Sequence, residues 1–316
     1  MKKHLSTIIL IGILLAGVSL LLYPGVSDYW NRVRQSQAIA DYTKSVGELD
    51  DMACEELWME AEQYNSSLRS KANRYHFTEE EHEEYEQLLN VAGDGIMGYI
   101  EIASINCYLP IYHGVDEEVL RVAAGHIEGT SMPTGGPGTH CVLSGHRGLP
   151  SARLFTDLDQ LKEGDVFVLR VLDKSLAYEV DQIRIVLPEE LEDLSLEDGM
   201  DYCTLVTCTP YGVNSHRLLV RGRRAPYEPE VLADEKVPLG SMSLHTNYLL
   251  WVAVGVGITG LFSFILYRRE KRLRRKPDTS QEAAETESLT EEAEPTEKIF
   301  PEEEEAAKKA GPEDVS

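Results

Sequence analysis

The chain has 316 residues, a net charge of −24 and 42% hydrophobic residues. That length holds one or two domains with a real core, and the acidic balance argues against nucleic-acid phosphate as a partner. Its five cysteines, Cys54, Cys107, Cys141, Cys203 and Cys208, are an odd set without C-x-x-C spacing. Neither a zinc site, another metal site nor a full disulfide framework is expected, and nothing in the sequence calls for a cofactor.

After a basic start at residues 1–4, Leu5 to Leu22 is uncharged and mostly apolar, long enough to cross a bilayer. The residues that follow, Tyr23-Pro24-Gly25-Val26-Ser27, do not resemble a small-x-small cleavage site, so residues 5–23 read as an uncleaved transmembrane anchor. Residues 24–97 read as a helical extension. Leu57, Met59, Ala61 and Tyr64 mix with polar residues at helical spacing, and Thr78 with Glu81 has the spacing of a capping box. Gly93-Asp94-Gly95 ends that pattern.

Residues 98–226 change character to short strands. The expected strands lie around Tyr99–Ile105, Leu109–Tyr112, Val142–Leu143, Val166–Val171, Ala177–Val186, Leu205–Val206 and Leu218–Val220, with Pro110 marking an edge or bend. Short strands with Gly and Pro punctuation suggest a closed or nearly closed β-barrel. Residues 227–246 are a linker. A second uncharged run, Tyr248 to Tyr267, places a second transmembrane helix at 247–267. It is followed by Arg268, Arg269, Lys271, Arg272, Arg274, Arg275 and Lys276. Those cations, like Lys2 and Lys3, belong in the cytosol by the positive-inside rule. Both termini are therefore expected inside and residues 24–246 outside. Residues 268–316 form a basic and then acidic tail of disordered composition.

Three motifs carry chemistry. Thr204-Leu205-Val206-Thr207-Cys208-Thr209-Pro210 is an apolar strand ending in a thiol, a rigid and open placement suited to a nucleophile. A lone cysteine is more commonly a small buried hydrophobe, so this motif does not decide alone. Leu143-Ser144-Gly145-His146-Arg147-Gly148 ends a strand in a glycine-flanked histidine. Asn214-Ser215-His216-Arg217-Leu218 starts a strand with an arginine. His140 opens its strand and is expected at the far end from the thiol, and His216 should face away from Arg217.

In this order and spacing the chain resembles the sortase family, in its class C (pilin-polymerising) branch. Further matching stretches are Gly98-Tyr-Ile-Glu-Ile, Leu109-Pro-Ile-Tyr-His-Gly, Gly125-His-Ile-Glu-Gly-Thr-Ser and Gly148-Leu-Pro-Ser-Ala-Arg-Leu-Phe, so the likeness spans about residues 95–225. The resemblance implies a mainly β fold, an eight-stranded sortase-type β-barrel, here with an N-terminal helical extension and two transmembrane helices. It implies a membrane protein of a Gram-positive type cell envelope. It further implies a cysteine transpeptidase that cleaves an LPXTG-like sorting signal between Thr and Gly through a Cys208 thioester. His146 would be the proton donor and Arg217 the charge-stabilising or substrate-holding group, and Thr207 would offer a hydroxyl nearby. The acceptor would be an amine, a pilin lysine or peptidoglycan. A hydrolytic cysteine peptidase and a non-enzymatic membrane scaffold remain open alternatives.

Two features stand apart. Class C relatives commonly carry an Asp-Pro-aromatic lid motif before the barrel; residues 24–97 contain none, the nearest stretch being Asn73-Arg74-Tyr75-His76-Phe77. An accessible Cys208 is the expectation. Cys141 and Cys203 each lie five residues before His146 and Cys208, so on neighbouring parallel strands they would meet inside the core, as packed thiols or as a disulfide.

Overall fold

A computed structural model describes residues 2–71 and 73–226 and scattered residues between 255 and 271. The linker at 227–246 and the tail beyond 271 lie outside the described residues, as does much of the second expected span; its described members are helical. The chain divides into two compact units, Met1–Gly255 and Val256–Ser316, and everything below concerns the first.

The expected anchor and the start of the helical extension form one helix. Helix α1 (Lys2–Gly47) runs 46 residues through Pro24, about 69 Å at 1.5 Å per residue. Among the described residues this is the one helix long and apolar enough to cross a membrane, and none of its apolar stretch is buried in the fold. Its C-terminal third packs on the barrel through buried Ile39 and Tyr42. The Tyr42 hydroxyl donates to the Met97 carbonyl and accepts from the Leu172 amide, at 3.2 and 2.8 Å.

Helix α2 (Asp51–Leu68) buries Cys54, Trp58, Ala61, Asn65 and Leu68, one stripe at helical spacing. Helix α3 (Glu79–Gln87) begins with the expected capping box. Thr78 accepts from the Glu81 amide while the Glu81 carboxylate accepts from the Thr78 amide.

The barrel strands are β1 (Ile96–Ile102), β2 (Cys107–His113), β3 (Ala124–His126), β4 (Thr139–Ser144), β5 (Val166–Val171), β6 (Lys174–Val186), β7 (Asp201–Thr209) and β8 (His216–Ala225). They close in the order β1-β2-β3-β4-β7-β8-β6-β5. A four-residue helix, α4 (Glu117–Leu120), precedes β3. Seven strands fall near their expected places, but the first ends at Ile102, since Ala103–Ile105 forms a 3-10 turn that reaches Asn106 in a left-handed conformation. β3, Ala-Gly-His, has neither length nor a β-branched residue to announce it. It pairs with β2 only from Ile111 onward, so Pro110 occupies a stretch of β2 with one neighbour, where a missing amide is tolerated.

The strands that matter for chemistry are β4, β7 and β8. β4 and β7 run parallel with Cys141 opposite Cys203 and Ser144 opposite Val206. β8 runs antiparallel to β7 with Arg217 opposite Cys208. Alternation sends Cys141, Leu143, Cys203, Leu205 and Val220 into the main core. It sends Val142, Val206 and Leu219 to the other face, where they cluster with Val186 and Leu194. All five cysteines are free thiols, so Cys141 and Cys203 are packed neighbours and not a disulfide. Burial holds the Cys203 thiol well above its ordinary pKa.

Candidate active site

The C-terminal ends of β4 and β7 and the start of β8 lie at one end of the barrel. Two residues past the Ser144–Val206 pair come His146 and Cys208, and Arg217 is the β8 partner of Cys208. The parallel register holds beyond β4, because the Gly145 amide donates to the Val206 carbonyl at 3.0 Å. Cys208 and Arg217 are therefore cross-strand partners on β7 and β8, and His146 follows them in the row from the loop that continues β4. Cys208 is the one cysteine of the five that is partly exposed.

Several contacts fix the loop carrying His146. Thr207 was expected to offer its hydroxyl to a substrate. Alternation instead turns it inward, where it is buried and donates to the Gly145 carbonyl at 2.8 Å. Gly145 is required by close approach: an added Cβ would lie 2.6 Å from the Phe155 ring. The Phe155 amide donates to the His146 carbonyl at 3.1 Å. Arg147 pairs with Asp159 and donates to the Thr209 hydroxyl, lacing this loop to the end of β7. Gly148 has φ +76°, and an added Cβ there would meet the Tyr211 ring at 2.7 Å.

Sequence reasoning missed Glu117. Its carboxylate, at the start of α4, lies 3.4 Å from His146 Nε2 and 2.9 Å from Arg121 Nε. Arg121 first and His146 second hold the Glu117 carboxyl below its ordinary pKa. A carboxylate on a four-residue helix, 29 positions before the histidine, has no local signature; only closure of the barrel brings it there. On the other flank, Arg217 Nη1 donates to the carbonyls of Asn214 and His216 at 3.2 and 3.1 Å. A guanidinium has five N–H donors, and these bonds use those of Nη1.

The competing histidines are placed as the pattern predicts. His140 sits at the start of β4, six residues before His146 and about 20 Å along the strand. It is buried between the Thr204 hydroxyl at 2.7 Å and the Ser195 carbonyl at 2.9 Å, and burial pushes its pKa down to about 4. His216 bonds its neighbour Ser215 at 2.9 Å. The α2–α3 loop, where a lid motif was sought, reaches the β6–β7 connection: Arg74 donates to the Leu194 carbonyl and Arg69 pairs with Asp198 at 3.0 Å.

Known proteins resemble this chain in sequence and in fold. The family model described as "Sortase domain" matches residues 100–225. Sortase A of Bacillus anthracis is 30% identical over 127 residues, 40% of this chain and 59% of that protein, so the chain aligns with little more than half of this curated relative. A crystal structure of sortase C1 from Streptococcus agalactiae is 49% identical, with a TM-score of 0.59, and covers 61% of this chain and 100% of that one. Streptococcus pneumoniae sortase C is 43% identical, with a TM-score of 0.54, and covers 60% of this chain and 97% of that one. A barrel of this strand order, a thiol, an imidazole and a guanidinium in one row, and 49% identity across the whole of a solved sortase C1 make one conclusion: the chain belongs to the sortase family.

Proposed function

We propose that this chain is a membrane-anchored cysteine transpeptidase that polymerises pilins. It would cleave an LPXTG-like sorting signal between Thr and Gly and join the Thr to a lysine amine. The in-register row of His146, Cys208 and Arg217 carries the reading, and the sortase C likeness supports the choice of substrate class. The apolar length of α1 supports anchoring, and the basic cluster after Tyr267 supports a second span with both termini in the cytosol.

In this reading the Cys208 thiolate attacks the Thr carbonyl carbon. A free thiol is largely protonated near neutrality, so a cationic neighbour is needed to favour the thiolate, and His146 supplies one. The C–N bond to Gly breaks as His146 gives its proton to the leaving amine. The acyl group remains on Cys208 as a thioester. An incoming lysine amine loses a proton to His146, attacks the thioester carbon and expels the thiolate, and an isopeptide bond results. Arg217 stabilises the oxyanion formed in both steps; loss of such a donor costs about 3 kcal/mol, roughly a hundredfold in rate.

The test incubates the full chain with an LPXTG-type peptide, with and without a pilin lysine acceptor. The expected product is the isopeptide-linked adduct, abolished by Cys208→Ala. Hydrolysis with no amine adduct would replace this reading by a peptidase. Exclusive use of a peptidoglycan amine would replace it by a surface-protein anchoring enzyme.

A further inference from the structure

The stretch of α1 that follows the apolar run has an inverted amphipathic pattern. Val26, Tyr29, Trp30 and Val33 recur at i, i+3, i+4 and i+7, one helical stripe, and are 64%, 49%, 58% and 44% exposed. Asp28, Asn31 and Gln35, on the other side of the same stretch, face the protein instead. The Asp28 carboxylate accepts from the Arg153 amide at 2.9 Å. Asn31 donates to the Ser151 carbonyl at 2.8 Å, and Gln35 to the Val122 carbonyl at 2.7 Å. A helix meeting only water and the barrel would show the opposite arrangement.

Those polar contacts all lie at the end of the barrel that carries Cys208. Ser151 and Arg153 belong to the loop that carries His146, and Val122 follows α4, which brings Glu117 to His146. Further along, Tyr42 touches Leu172 in the β5–β6 turn, at the opposite end. The helix therefore leaves the barrel past the active-site end on its way to the apolar run. From Tyr23 to Asn31 is about 12 Å of helix. The β7–β8 loop at the same end holds out Tyr211 and Val213, 62% and 70% exposed.

We infer that the occupant of this stripe is the bilayer surface, and that the active-site end of the barrel rests on it. The stripe continues the apolar surface of the span without a break in the helix, and tyrosine and tryptophan are the side chains that favour the headgroup level. The polar ties from Asp28, Asn31 and Gln35 then set the orientation, so Cys208 opens toward the membrane. The inference rests on the anchoring reading above.

The test uses the full chain in phosphatidylcholine–phosphatidylglycerol vesicles with acceptor dye on the lipid headgroups of both leaflets. A donor dye is placed by maleimide on Cys208, the one partly exposed thiol, or on Asp173→Cys in a Cys208→Ala chain. Asp173 is exposed in the turn at the far end. Along β7 the seven steps from Asp201 to Cys208 span about 23 Å. The expected result is several-fold stronger transfer from Cys208 than from position 173. The difference should collapse in Tyr29→Ser/Trp30→Ser while the protein still floats with vesicles. Equal or stronger transfer from position 173 in a floating protein overturns the orientation. Transfer between donor- and acceptor-labelled chains, with no preference of Cys208 for lipid, assigns the stripe to a second copy and overturns it too. A chain that fails to float at all removes the anchoring reading, a different failure that takes the orientation with it.

Discussion

Gly145 shows how much one missing methyl group supports. Its carbonyl accepts from Thr207, its amide donates to Val206, and the Phe155 ring occupies the space a side chain would take. Gly145→Ala must displace that ring or the strand. It is expected to cost about 1–3 kcal/mol of stability and to lower turnover further by moving His146, checked by thermal unfolding and peptide cleavage. Glu117 acts from outside the strands. Its carboxyl is held below its usual pKa, first by Arg121 and then by His146. The contact to His146 is therefore fully present above the ordinary carboxylate pKa and is lost as pH falls through the lowered value. Glu117→Gln is expected to lower kcat/KM a few-fold at neutral pH and to match the parent enzyme at acid pH. A uniform loss at every pH would assign the residue to folding alone. The common end of the barrel shared by Cys208, His146 and Arg217 was legible because each sits at a strand boundary marked by glycine, proline or a polar turn. Glu117 was not, and the Thr207 hydroxyl, expected to serve a substrate, is turned inward to the Gly145 carbonyl by the alternation of β7.

The elements repeat the lesson in larger units. The capping box of α3 was readable from Thr78 and Glu81 alone, since both partners lie within one turn. Thr78→Ala is expected to cost about 1 kcal/mol, measured by denaturant unfolding. β3 was not readable, because three residues without β-branched side chains are a strand only by virtue of the neighbours that claim them. The β4–β7 pair carries a buried histidine that couples stability to pH. His140 has its pKa depressed from 6.5 to about 4 by burial, so the unfolded chain binds the extra proton between those values. Stability from this group is full above pH 6.5 and falls as pH drops toward about 4, by on the order of 3 kcal/mol. His140→Asn is expected to flatten that part of the stability–pH curve, whatever its effect at pH 7. An unchanged slope would assign the acid sensitivity to other groups.

At the scale of the whole molecule, one helix joins an apolar stretch to the face of a closed barrel, and Cys208, His146 and Arg217 lie at the end where that helix departs. The sequence pattern disclosed the apolar run of α1 and the barrel class. It did not disclose that anchor and extension are a single helix, because the boundary at residue 23 was set by the end of the apolar run, whereas backbone hydrogen bonding carries the helix on through Pro24. The central claim is that Cys208 is the nucleophile, served by its two neighbours in the row. The most direct measurement is intact-protein and peptide mass spectrometry of the full chain quenched in acid during turnover of an LPXTG-type peptide. The account predicts an acyl adduct cleaved after Thr on the peptide containing Cys208, released by hydroxylamine and lost in Cys208→Ala. It also predicts adduct formation slowed roughly a hundredfold in Arg217→Ala. An adduct that persists in Cys208→Ala, or that maps to another residue, would contradict it.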